Sequence, residues 1–163
     1  MRTRLYMTAA VIMLLAFILL GGCAKKIVKQ NEGPTVPGFG AGQVSEADMQ
    51  GVQSTLRVIY FDFDKYGISQ EAQAALQYNG EILKRSPNIS VVAEGHCDER
   101  GTAEYNLALG ERRAGSVVEF LTSMGVAPNR MSTVSFGSEL PADPAHNEAA
   151  WAKNRRVFLR VGK

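Results

Sequence analysis

Histidine, cysteine and tryptophan are scarce: the 163 residues hold two His, two Cys and one Trp. A zinc site would need ligands beyond His96, Cys97 and the distant His146 to complete a tetrahedral centre. Excess charge is scarce too. Lys and Arg number 18 against 16 Asp and Glu, and Arg2 and Arg4 of the leader account for the whole excess. A chain that balances to neutrality beyond residue 22 has no electrostatic footprint for nucleic acid, and that partner class is set aside. No internal repeat is visible. What is present, 45% apolar and 21% charged residues, is the composition of a globular protein with room for one ordinary domain plus tails.

The one long apolar run is at the start. Arg2 and Arg4 precede Leu5–Leu20, interrupted only by Tyr6 and Thr8, and Leu20-Gly21-Gly22-Cys23 follows. Two small residues before a cysteine fit a peptidase site, and the whole resembles the lipobox of bacterial lipoproteins. Residues 1–22 are therefore read as a signal peptide, and Cys23 as the lipidated new N-terminus. Acyl chains contribute about 0.8 kcal/mol per buried CH₂, so a multiply acylated cysteine stays on its membrane almost permanently. Ala24, rather than Asp, in the next position favours the outer membrane by resemblance to known sorting rules. Lipidation of Cys23 also leaves Cys97 with no intramolecular disulfide partner. Residues 23–56, punctuated by Gly33, Pro34, Pro37, Gly38, Gly40 and Gly42, read as a flexible tether, averaging about 30 Å and reaching about 100 Å.

Residues 57–163 read as the folded domain. Arg57–Phe61 is β-branched and aromatic, a buried strand. Ser69 caps a helix through Ala72, Ala75, Leu76, Ile82 and Leu83 that stops before Pro87. Ile89–Glu94 is a second strand. A second helix runs from Thr102 or Ala103 to about Met124, with Gly125 as its C-cap. Met131–Phe136 and Arg156–Val161 are further strands, with a short helical turn at Glu148–Lys153 between them. This order predicts an α/β two-layer sandwich with both helices on one face of the sheet.

Asp98 falls just past the second strand, and Asn106, Leu109, Gly110 and Arg113 share one stripe of the helix that follows. The stripe lies at the margin of the core stripe and should look out along the sheet edge. A carboxylate and a guanidinium facing across a shallow cleft can recognise a zwitterion, the Arg fork holding a carboxylate bidentately. An ordinary strand-to-helix ion pair is the plainer reading of that spacing.

The runs Tyr60-Phe61-Asp62-Phe63-Asp64-Lys65-Tyr66, Glu94 through Thr102, Glu104-Tyr105-Asn106 with Leu109 through Ala114, and Lys153 through Val157 resemble the OmpA-like domain family, across essentially all of 57–163. With the lipobox and tether ahead of them, they resemble its lipid-anchored branch. The resemblance implies a mixed four-stranded sheet, no cofactor or metal, and non-covalent binding of the diaminopimelate-containing stem of peptidoglycan. Asp98 would take the diaminopimelate amino group and Arg113 its side-chain carboxylate. Phe63, Asp64, Arg100, Thr102, Asn106 and Leu109 would line the cleft, and Asn154 and Arg155 would position its wall. It further implies an outer-membrane protein facing the periplasm, with TolB and other Tol proteins as partners in envelope integrity and division. Asp98 and Arg113 are each expected to be replaceable without loss of the fold. Cys97 departs from the family's usual small residue and is expected to be buried. An enzyme built on His96, Cys97 and Asp98 fails on geometry, because neighbours on a strand point to opposite faces.

Overall fold

The computed structural model describes residues 44–162. The signal peptide, Cys23 and most of the tether lie outside these residues. The elements are α1 (Glu46–Thr55), β1 (Ile59–Tyr60), α2 (Gln70–Arg85), β2 (Ser90–His96), α3 (Ala103–Ser123), a 3₁₀ turn (Pro128–Arg130), β3 (Met131–Gly137), α4 (Glu148–Asn154) and β4 (Arg156–Gly162).

The strands form one sheet in the order β1-β4-β2-β3. β1 and β2 both run antiparallel to β4, while β2 and β3 are parallel, joined through α3. Alternation places Val91 and Ala93 of β2 and Val157 and Leu159 of β4 on one face. There they meet Leu76 and Leu83 of α2 and Ala114, Val117 and Leu121 of α3 in a single core. Glu94, Phe158 and Arg160 point the other way and remain at least partly accessible. The two-layer sandwich with a mixed four-stranded sheet and helices on one face is thus observed.

Local signals explain the helix ends. The Ser69 and Thr102 hydroxyls accept the backbone N–H groups of Ala72 and Tyr105 at the N-caps of α2 and α3. Gly125, at φ +96°, follows α3 in the left-handed conformation that ends it. β2 continues two residues past Glu94 because β3 pairs with it as far as Gly137, across a bulge between Gly95 and His96. β1 is shorter than the Arg57–Phe61 strand expected. The Asn79 carboxamide of α2 takes both the N–H and the C=O of Arg57 and draws that residue out of the ladder.

The tether expectation fails over α1. Ser45 caps this helix by accepting from Asp48 N–H, and Val44, Val52 and Leu56 pack against the core. Gln53 does more. Its carboxamide donates to Leu159 C=O and accepts from Val161 N–H, two groups on the β4 edge beyond the reach of short β1. A side chain there does what a neighbouring strand would do, and the folded body begins before residue 57.

Candidate functional site

β2 and α3 touch backbone to backbone. A Cβ on Gly95 would stand 1.9 Å from the Gly110 carbonyl oxygen, so neither strand nor helix tolerates a side chain at the crossing. This contact draws Asn106, Leu109 and Arg113 against the strand end that carries Asp98. The stripe expected to look outward along the sheet edge is instead buried, because the loop after β1 folds over it.

Arg113 is 1% exposed. Its Nε donates to Lys65 C=O at 2.8 Å, Nη1 to His96 C=O at 2.8 Å and Cys97 Sγ at 3.4 Å, and Nη2 to Asp62 C=O at 3.1 Å. Asp64, in the left-handed region at φ 57°, makes the turn that aims both loop carbonyls at the guanidinium. Four of five N–H groups are committed, so the expected bidentate fork is not free: one Nη2 hydrogen remains. Burial lowers the pKa of this guanidinium without neutralising it, and no carboxylate pairs with it among the described residues. It also knits three backbone segments together, so replacing it by alanine would damage the fold, contrary to the sequence expectation.

Asp98, 4% exposed, lies two residues past β2. Its Oδ1 accepts from the N and Nε of Arg100, both at 3.1 Å, and its Oδ2 from Arg100 Nη2 at 2.6 Å and Arg155 Nη1 at 3.2 Å. Burial alone would push this carboxyl up, but the bonds from Arg100 and Arg155 outweigh it and hold it below its ordinary range. Asn106 Nδ2 ties down the loop by donating to Asp98 C=O and Arg100 C=O. Asp98 and Arg113 do not pair directly. Both line one hollow of about 220 Å³, together with Phe63, Asp64, Arg100 and Leu109.

Thr102 is not brought to the hollow; its side chain is spent on capping α3. Arg155 exceeds its expected wall-positioning role, since it lines the hollow and binds Asp98, while Asn154 fastens the loop before α4 through Ala142, Asp143 and its own amide. Sequence reading missed Tyr105, whose hydroxyl donates to Asp64, and the aromatic clamp on Arg100. The Arg100 guanidinium lies 3.9 Å from the Phe63 ring centre and 4.3 Å from that of Trp151. Only the lone tryptophan could have hinted at this, from 51 positions away.

Cys97 is buried as expected: burial pushes its thiol up, and Sγ donates to Asn106 C=O. His96 stacks on Phe136, away from Cys97, and His96, Cys97 and Asp98 make no side-chain bonds to one another. No helix of the described residues is long and apolar enough to cross a membrane.

An open mixed sheet under two helices, with a buried arginine and carboxylate at the mouth of a parallel β-α-β unit, defines a class. A profile of the OmpA family matches residues 60–155, and the chain belongs to that family and, within it, to the peptidoglycan-associated lipoproteins. It is 40% identical over 156 residues to the peptidoglycan-associated lipoprotein of Agrobacterium fabrum, covering 94% of this chain and 87% of the relative. Against the Pasteurella multocida protein of that name it is 47% identical over 111 residues, 68% of this chain and 74% of the relative. The crystal structure of the peptidoglycan-associated lipoprotein from Burkholderia pseudomallei superposes with a TM-score of 0.63 at 45% identity, over 65% of this chain and 90% of that one.

Proposed function

We propose that this domain binds the diaminopimelate-bearing peptide stem of peptidoglycan non-covalently, with the side-chain carboxylate on Arg113 and the amino group on Asp98. The observation that carries this reading is the state of Arg113. A buried cation that meets carbonyl dipoles, a thiol and the Phe61 ring face, 5.3 Å away, but no carboxylate partner among the described residues is costly, and a carboxylate entering the hollow supplies its missing counter-charge. The names of the relatives support the ligand class, and the hollow is sized for one small zwitterion rather than a polymer segment. Binding ends without turnover.

A lipid on Cys23 would then join this grip on the cell wall to the outer membrane, with the domain facing the periplasm. TolB and other Tol proteins, the protein partners implied by resemblance, would compete for the same hollow.

Changing the ligand tests this without touching a residue that the fold needs. Full-length protein in detergent is sedimented with sacculi carrying diaminopimelate or with sacculi carrying lysine, which lacks the side-chain carboxylate. Loss of one charge-assisted bond, about 1.5–3 kcal/mol, weakens binding to the lysine type about 10- to 100-fold. Equal sedimentation with both would overturn the reading.

A further inference from the structure

The Asp98 carboxylate has no vacancy. Its two oxygens offer about four lone-pair sites, and four N–H groups of Arg100 and Arg155 occupy them. An incoming ammonium therefore has to displace a guanidinium, and the two candidates differ in how firmly they are held. The Arg155 side chain, 9% exposed, is pinned by Nε to Phe61 C=O and by Nη2 to Glu148. The Arg100 side chain is 31% exposed and donates to no backbone carbonyl of the described residues: it is held by Asp98, by the ring faces of Phe63 and Trp151 and by a longer ion pair to Glu148. A second carboxylate already waits beside it, since Glu148 Oε2 stands 3.6 Å from Arg100 Nη1.

We propose that Arg100 is a displaceable internal competitor for Asp98: a specificity-determining latch that swings to Glu148 when a ligand ammonium takes its place, sliding between Phe63 and Trp151 as it goes. This rests on the binding reading above and reverses the role of Arg100 within it, from ligand contact to ligand surrogate. A guanidinium on the carboxylate keeps the buried Asp98 satisfied while the hollow is empty. It also sets a threshold, because only a ligand that brings its own cation recovers the bonds lost when Arg100 leaves. A ligand with the carboxylate alone leaves the latch closed.

Trp151 is the single tryptophan of the chain and touches the moving group, so its emission reports the latch directly. Full-length protein in detergent is titrated with a soluble diaminopimelate muropeptide and with the same muropeptide acetylated on the free side-chain amine. Fluorescence and calorimetry are read together. The parent should bind the first with a change in Trp151 emission, and any binding of the acetylated form should leave the emission unchanged. Arg100→Gln should bind the amine-bearing muropeptide about tenfold more tightly, the worth of one charge-assisted bond no longer contested, with no change in emission. Absence of calorimetric binding by the parent removes the functional reading itself. Binding by the parent with silent emission, or an Arg100→Gln protein of native circular dichroism that binds equally or more weakly, overturns the latch alone.

Discussion

Replacing Gly95 with alanine places a methyl where α3 rests on β2. The new carbon would stand 1.9 Å from the Gly110 oxygen and 2.5 Å from its carbonyl carbon, and both belong to helix backbone. Restoring even the 3.0 Å below which Cβ contacts essentially never occur requires the helix to move away by about 1.1 Å. Overpacking costs about 1–3 kcal/mol, and with no flexible side chain to give way the upper end applies. For a domain of this size that lowers Tm by about 12 °C in differential scanning calorimetry. The same movement carries Asn106, Leu109 and Arg113 off the strand end, and displacements of this size cost binding sites most of their affinity. Sedimentation with diaminopimelate sacculi should fall well below that of the parent at temperatures where the variant remains folded. Gly115 supplies the control on the same helix. Nothing lies within 4 Å of its virtual Cβ, so Gly115→Ala should stabilise by up to about 1 kcal/mol and leave binding unchanged. A Gly95→Ala protein with the parent's Tm and affinity would refute the direct backbone contact as the device that sets the site.

Burial, helped by the charge of Arg156, lowers the pKa of His96 from 6.5 to about 4 against a smaller opposing pull from the Leu140 backbone. The folded state therefore resists its protonation: stability from this residue is complete above pH 6.5 and is lost as pH falls towards 4, up to about 3 kcal/mol. Urea titrations at pH 7 and pH 4.5 should show this loss, and His96→Phe, which keeps a ring against Phe136, should flatten it; a slope unchanged in the variant would contradict the assignment. Gln53→Ala strips two hydrogen bonds from the β4 edge and should cost about 1–2 kcal/mol in urea unfolding, with sacculus binding intact; no loss of stability would mean that α1 contributes nothing there. Cys23→Ala should abolish incorporation of labelled palmitate and release the protein from membranes, and persistent labelling would disprove the lipobox reading.

Much of this was written in local chemistry. Ser69, Thr102 and Gly125 mark helix ends because caps act within a few residues of themselves. Asp98 and Arg113 are legible as neighbours because one short turn separates their elements. α1 escaped because only Val44, Val52 and Leu56 carry its apolar side, and Gly51 interrupts it. The clamp around Arg100 escaped for another reason: Phe63 comes from the loop after β1 and Glu148 and Trp151 from one turn of α4, two segments far from Arg100 in the chain with no local pattern linking them to it. The depth of Arg113 was misjudged, since its angular position on α3 is visible in the chain but the loop that closes over it is not.

The seam between Gln53 and the β4 edge has a mechanical meaning. Tension applied at Val44 reaches α1 before any part of the sheet, and there it meets two hydrogen bonds of the Gln53 carboxamide and a few apolar contacts rather than a packed interior. Ten helical residues pulled straight lengthen from 1.5 Å to about 3.4 Å each, paying out about 20 Å of slack. The hollow is built from residues 63–155, downstream of that seam. Because α1 precedes every residue that lines the hollow, unwinding it would lengthen the chain ahead of the sheet without removing a lining residue.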